Sequence, residues 1–151
     1  MEKYLVIHGP SLNLLGAREP HIYGNLTLDE INNKLYNEAE KYSVEMEIVQ
    51  SNSEGEIIDL IHKNSNIMGI IINPAAYTHY SYAILDAIRA VKTPVVEVHI
   101  SNIHARDSYR CKSVTAEACI GIISGFGFQS YILAFYSLLA NNGKIELGGR
   151  I

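Results

Sequence analysis

The chain has 151 residues, of which 48% are hydrophobic and 19% are charged, so it matches one ordinary domain with a sizeable core. Its formal net charge of −4 argues against nucleic acid and against an anionic membrane surface as partners. No signal peptide pattern is visible, and no apolar run reaches the roughly 18 residues of a membrane span. Two cysteines, Cys111 and Cys119, are too few for a disulfide framework and favour free thiols. We therefore expect one cytoplasmic domain over residues 1–151.

Strands and helices are predicted to alternate along the chain. The first strand, residues 5–7, is apolar and largely β-branched, and Gly9 and Pro10 end it. The later elements are a helix over 27–44, a strand over 46–50, a helix over 53–64, a strand over 67–72, a helix over 81–91, a strand over 94–100, a strand over 118–125 and a helix over 129–140.

Three of these helices begin with recognisable capping residues. Thr27 and Glu30 have the spacing of a capping box, as do Ser53 and Glu56, and Ser81 is a single N-cap. Helical periodicity follows each of them, which supports the assignment.

Alternation of this kind predicts an α/β fold with a parallel sheet and helices on both faces. The continuous apolar run of the third strand is typical of a strand that is covered on both faces. Five strands suggest a flavodoxin-like order, 2-1-3-4-5. In such a sheet, ligands bind beyond the carboxyl ends of the strands at the point where the strand order reverses, which here lies between strands one and three. The loops after Ile7, Ile72 and Ile100 should therefore meet.

The first of these loops is unusually long. Roughly eighteen residues separate Ile7 from the next predicted helix, whereas such connections usually need about 2–6 residues. The loop carries Arg18 and Tyr23. A nearby guanidinium lowers the pKa of a phenol from its usual value near 10 and so makes it a better base. From this loop alone, a surface arginine and an ordinary tyrosine remain the simpler interpretation.

The other two loops also carry polar side chains. Asn73 ends the third strand, and His79 lies just before a helix start, where free N–H groups bind anions. Ordinary capping explains these two residues equally well. Arg106 and Arg110 follow the fourth strand, and two cations beyond a strand end suit a carboxylate ligand. The competing interpretation is a solvated charged loop.

The fourth strand contains Glu97 and His99, which its period of two places on one face. A carboxylate beside an imidazole fixes its tautomer and favours the imidazolium, the form that acts as an acid. A metal site of His99 with His104 is the weaker hypothesis, because no third ligand has a recognisable spacing. Together the three loops predict proton abstraction beside a carbonyl with acid-assisted loss of hydroxide.

Four segments resemble the motifs of the type II 3-dehydroquinate dehydratases, in the same order along the chain. GPSLNLLGAREPHIYG is similar to that family's NGPNLNLLGxREPxxYG, and INPAAYTHYS to its INPGAYTHTS. EVHISNIHAR and SVTAEACIGIISGFG resemble the third motif and the closing strand. The resemblance implies a flavodoxin-like fold, a homo-dodecamer built as a tetramer of trimers, and anti elimination of water from 3-dehydroquinate without a metal or cofactor.

The resemblance also implies roles for individual residues. Tyr23 would be the base, Arg18 its activator with a contribution from Arg106, and His99 the acid, held by Glu97. The implied substrate-binding groups are Asn73 and the backbone of Ile100 and Ser101 for the carboxylate, His79 and Arg110 for ring hydroxyls, and Asp86 for a neighbouring subunit's site. Ser11 stands where the family has the asparagine that helps to position a water near the enolate.

Several positions depart from the family motifs. His8 and Ser11 each stand where the family usually has Asn, Ala75 replaces a Gly, and Tyr80 replaces a Thr. Cys111 and Lys112 replace a pair that is usually rich in His. The base, the acid and the arginines remain, which predicts an active enzyme with an altered site for the enolate.

Two other functions stay open at this point. A catalytically weak paralogue could bind a cyclohexane carboxylate as a sensor. A flavodoxin-like FMN carrier fits less well, since the chain has no Trp and no Ser/Thr-rich phosphate loop after the first strand. The sequence does not distinguish aromatic biosynthesis through the shikimate pathway from quinate degradation.

Overall fold

The computed structural model describes residues 1–17 and 19–148, without the side chains of Pro20 and Tyr23. These residues form a five-stranded parallel sheet in the predicted order, 2-1-3-4-5. The strands are β1 Lys3–His8, β2 Glu45–Gln50, β3 Gly69–Asn73, β4 Val95–His99 and β5 Gly121–Ser124. The helices are α1 Pro20–Tyr23, α2 Leu28–Lys41, α3 Glu54–Lys63, α4 Tyr82–Arg89 and α5 Gln129–Asn141.

The sheet separates two apolar layers, because successive side chains of a strand point to opposite faces. On β1, Tyr4 and Val6 pack with residues of α2 and α5, whereas Leu5 and Ile7 pack with residues of α3 and α4. All five residues of β3 are buried, which confirms the prediction of a strand covered on both faces. None of the helices that the structure describes is long and apolar enough to cross a membrane.

The predicted helix starts are largely confirmed. Thr27 and Glu30 form both hydrogen bonds of the capping box. The prediction of a second full capping box was wrong, because the Glu56 carboxylate accepts a hydrogen bond from Ser51 Oγ at 2.9 Å. Ser53 still caps α3 by accepting from the Glu56 N–H, but its own N–H donates to Ser51 Oγ.

Two segments have more local structure than the sequence suggested. The long first loop contains a 3-10 helix, Leu12–Leu14, and the short helix α1. A 3-10 helix, Thr115–Ala118, takes up the start of the predicted last strand, so β5 begins at Gly121 instead of at residue 118.

The loops after β1 and β3 are in direct backbone contact at the carboxyl edge of the sheet. The Gly9 N–H donates to the carbonyl of Asn73 at 2.8 Å, and Gln50 Nε2 donates to the Gly9 carbonyl at 3.2 Å. A Cβ added at Gly9 would lie 2.6 Å from the carbonyl oxygen of Pro74, too close for any side chain. Glycine is therefore required for these two loops to meet.

Gly9→Ala should lower the free energy of unfolding by about 1–3 kcal/mol, because the new methyl group overpacks rigid backbone. Gly55→Ala is the matched control, since the nearest atom to its new Cβ is Ser53 Oγ at 3.9 Å and the position lies in α3. It should be neutral or stabilise the protein by up to about 1 kcal/mol. Urea unfolding of both variants checks this, and equal stabilities would contradict the close approach at Gly9.

Candidate active site

A cavity lies at the carboxyl ends of β1, β3 and β4, where the predicted three loops meet. Its lining includes eight of the predicted catalytic and substrate-binding residues: Ser11 from the first loop, Asn73 and His79 from the second, and His99, Ile100, Ser101, Arg106 and Arg110 from the end of β4 and the loop that follows it. The prediction that these loops converge is confirmed.

Glu97 and His99 form a buried hydrogen-bonded pair, of which His99 lines the cavity. His99 Nε2 donates a hydrogen bond to Glu97 Oε2 at 2.8 Å, and the Glu97 side chain is fully buried. Because Nε2 is engaged, Nδ1 is the ring nitrogen left for a ligand in the cavity that His99 lines. The shared face predicted from the sequence is therefore confirmed.

Three hydroxyl groups, which sequence reasoning missed, complete the surroundings of Glu97. Thr78 and Ser113 donate to Oε2 at 3.0 and 2.7 Å, and Thr115 donates to Oε1. Burial by itself raises the pKa of Glu97, but the hydrogen bonds from His99, Thr115 and Ser113 and the positive charge of His99 outweigh it. The net effect is a lowered pKa, so Glu97 is ionised at neutral pH.

Cationic and polar groups also line the cavity. Arg106 Nη1 donates to Ser101 Oγ at 3.2 Å, and Arg106 and Arg110 both line the cavity. His79 Nδ1 donates to the carbonyl of Lys112 at 2.8 Å, which leaves its Nε2 for a ligand. The two arginines suit an anionic ligand, which would bind in the same cavity as the His99 imidazole.

A second polar cluster lies behind the cavity wall. His8 is fully buried, with Nδ1 3.0 Å from the Tyr131 hydroxyl and Nε2 2.8 Å from Asn32 Oδ1. Asn73 Nδ2 donates to the same Tyr131 hydroxyl at 2.9 Å. Both ring nitrogens of His8 are thus used inside the protein, and His8 supplies no donor to the cavity.

The remaining predicted residues lie elsewhere or outside the description. Asp86 is exposed on α4 and is not among the described residues that line the cavity. Arg18 and the side chain of Tyr23 lie outside the described residues. His104 is exposed, and residues 1–17 and 19–148 contain no group of three or more His, Cys, Asp or Glu side chains placed to bind a metal ion.

Comparison with known families agrees with this geometry. The family model described as dehydroquinase class II matches residues 2–139. The chain belongs to the class II dehydroquinases. It is 58% identical over 139 residues to a 3-dehydroquinate dehydratase of Caldanaerobacter subterraneus, covering 91% of this chain and 94% of that protein. It is 57% identical over 140 residues to one of Caldicellulosiruptor bescii, with 91% and 97% covered.

Solved structures of type II dehydroquinases have the same fold. The enzyme from Butyrivibrio crossotus superposes with a TM-score of 0.87 at 47% identity, covering 91% of this chain and 97% of that one. The enzyme from Propionibacterium acnes gives a TM-score of 0.88 at 39% identity, covering 91% and 96%. The flavodoxin-like fold predicted from the sequence is thereby confirmed.

Two departures from the dehydroquinase motifs coincide with left-handed backbone. Ser11 has φ 66° and Ala75 has φ 53°, and both residues line the cavity. The motifs have Asn and Gly at these positions, and both of those residue types adopt positive φ more easily than Ser or Ala. This dehydroquinase therefore holds two strained residues at the cavity wall, a cost of roughly 1 kcal/mol or more each.

The stability of the protein should fall as the pH drops from 6.5 toward 4. Burial lowers the pKa of His8 from 6.5 to about 4, only partly offset by its hydrogen bond to Asn32. Below pH 6.5 the unfolded chain binds a proton at His8 that the folded protein excludes, so the unfolded state gains up to about 3 kcal/mol by pH 4.

His8→Asn should remove this part of the pH dependence. Urea unfolding at several pH values measures the contribution of His8 as the difference in unfolding free energy between wild type and variant, since the other titrating groups contribute equally to both proteins. His62→Asn, at an exposed position of α3, controls for the loss of a histidine. If the unfolding free energies of wild type and His8→Asn change in parallel with pH, His8 is protonated as easily in the folded protein as in the unfolded chain.

Proposed function

We propose that this dehydroquinase is a 3-dehydroquinate dehydratase that eliminates water in the anti sense from 3-dehydroquinate through an enolate, to give 3-dehydroshikimate. The Glu97–His99 pair beside Arg106 and Arg110 is the observation that carries the proposal. The names of the relatives support it. The proposed reaction needs no metal or cofactor, because one base and one acid account for both proton transfers.

His99 acts as the acid in this reaction. Its imidazolium donates the Nδ1 proton to the leaving hydroxyl group, which departs as water as the carbon–oxygen bond breaks. The ionised Glu97 keeps the proton on Nε2 and stabilises the imidazolium. The electron pair that expels the hydroxyl comes from the enolate formed in the first step.

Tyr23 acts as the base in the first step. Its phenolate takes the proton from the carbon beside the ketone, and Arg18, with Arg106, keeps the phenol acidic enough to ionise. The backbone around Tyr23 supports this role, because Ile22 and Gly24 share a depression with Ser101 and Arg106. The segments on either side of Tyr23 therefore adjoin Ser101 and Arg106, two residues that also line the cavity.

The remaining groups bind the substrate. Asn73 and the backbone of Ile100 and Ser101 hold its carboxylate, and His79 and Arg110 bind its ring hydroxyls. Ser11 helps to place a water near the enolate oxygen. Asp86 reaches the site of a neighbouring subunit in a homo-dodecamer, a tetramer of trimers, and its exposure on α4 is compatible with that contact. We place the enzyme, as a single domain over residues 1–151, in the cytoplasm.

An ultraviolet assay for the conjugated enone product tests the proposed function. Appearance of this absorbance with 3-dehydroquinate supports it. A purified protein that binds a cyclohexane carboxylate but shows no turnover is instead the sensor that the sequence left open.

Tyr23→Phe should lower kcat by at least a hundredfold and leave substrate binding nearly unchanged, since the phenol acts only in proton transfer. Tyr36→Phe, at an exposed position of α2, is the matched control and should retain wild-type kcat. Steady-state kinetics measure both. A Tyr23→Phe enzyme with more than about a tenth of wild-type kcat would exclude Tyr23 as the base.

Ser11→Asn should raise kcat, by about tenfold at most. An Asn side chain has both a donor and an acceptor and reaches further than a Ser hydroxyl, so it holds the water at the enolate more firmly. It should also stabilise the fold slightly, because Asn tolerates the φ of 66° better than Ser. His8 faces away from the cavity, so the single variant suffices. If kcat is unchanged and thermal stability rises, position 11 affects only the backbone conformation and Ser11 does not place the water.

A further inference from the structure

Four polar side chains form a continuous hydrogen-bonded chain from α2 to the cavity wall. Asn32 contacts His8, His8 contacts Tyr131, and Tyr131 contacts Asn73, with distances of 2.8, 3.0 and 2.9 Å. His8 and Tyr131 are fully buried, while Asn73 lines the cavity. Burying this many polar groups is unfavourable unless each is paired, and in this chain each contact pairs two of them.

The direction of each hydrogen bond follows from the donors and acceptors. Asn32 presents Oδ1 to the ring, so His8 carries its proton on Nε2 and its Nδ1 is an acceptor. Tyr131 donates its single proton to that Nδ1. The Tyr131 oxygen is then left as an acceptor, and it receives the N–H of Asn73.

The Asn73 amide is consequently fixed at both ends. Its Nδ2 donates to Tyr131, and its Oδ1 accepts from the Ala75 N–H at 3.1 Å. The second proton of Nδ2 is the one that remains for a ligand in the cavity. A reversed amide would place its oxygen against the oxygen of Tyr131, and it would present an acceptor, which repels an anion.

We propose that His8 and Tyr131 are positioning residues that hold the Asn73 amide with its NH₂ group available to the substrate carboxylate. This inference rests on the proposed function, since it assumes that Asn73 binds that carboxylate. His8 suits the role because one imidazole reaches α2 and α5 together, with its ring in an edge contact with Tyr131 at 5.1 Å between centroids. Burial keeps His8 neutral and Tyr131 protonated at neutral pH, so the direction of the chain does not change.

A double-mutant cycle on Tyr131 and Asn73 tests whether Tyr131 acts through Asn73. Tyr131→Phe keeps the ring in the core but removes the acceptor, and it should raise KM for 3-dehydroquinate about tenfold with kcat within about threefold of wild type. Asn73→Ala should raise KM at least as much. The double variant should have the same KM as Asn73→Ala alone, because Tyr131 affects KM only through the Asn73 amide, which both variants lack.

Tyr4→Phe is the matched control for loss of a buried tyrosine hydroxyl. Tyr4 is also fully buried, and its hydroxyl accepts from Asn142 Nδ2 at 2.9 Å, near the amino end of β1 and far from the cavity. Both Tyr→Phe variants should lower the thermal midpoint, but Tyr4→Phe should leave KM unchanged. If KM rises in both variants in proportion to their loss of stability, the Tyr131 hydroxyl has only a structural role and the inference is overturned.

Variants of His8 provide a rescue experiment. The Oδ1 of an Asn occupies the place of the imidazole Nδ1, so His8→Asn should still accept from Tyr131 and keep KM within about threefold of wild type. His8→Leu removes the acceptor and should raise KM as Tyr131→Phe does. Equal KM values for His8→Leu and wild type, or additive KM effects in the cycle, would overturn the inference. An inactive wild-type enzyme would instead overturn the proposed function, so the two failures are distinguishable.

Discussion

The carboxyl edge of this sheet depends on one buried charge, the carboxylate of Glu97. An unpaired carboxylate in this position would destabilise the fold by several kcal/mol, and partners that donate hydrogen bonds remove that cost. The donors come from three separate segments: His99 from β4, Thr78 from the 3-10 helix after β3, and Ser113 with Thr115 from the segment before β5. The same interaction that secures these loops therefore orients the imidazole for catalysis.

The order of the strands determines which loops surround that imidazole. β1 and β3 lie side by side with His8 opposite Asn73, and β4 follows next to β3. The backbone contact at Gly9 brings the first two loops together, and the buried chain through Tyr131 fixes the Asn73 amide between them. Rigid polar networks thus support both the proposed acid and the proposed carboxylate site.

The sequence predicted what is local or periodic and missed what is distant. Glu97 and His99 lie two residues apart on a strand, so their shared face followed from the period of the strand. The sheet order and the converging loops followed from the alternation of elements. The hydroxyl donors of Glu97 and the contacts of His8 with Asn32 and Tyr131 join residues far apart in the chain, which no local pattern indicates. Glu56 was assigned to the wrong partner because the competing donor, Ser51, lies outside the motif.

The tautomer of His99 tests the central claim most directly. Nuclear magnetic resonance of the protein with ¹⁵N-labelled histidine, assigned with a His99→Gln variant, locates the proton of the neutral imidazole. The hydrogen bond to an ionised Glu97 predicts that it resides on Nε2, with Nδ1 unprotonated, and that Glu97→Gln loses this preference. A neutral His99 protonated on Nδ1 in the wild-type protein would contradict the account.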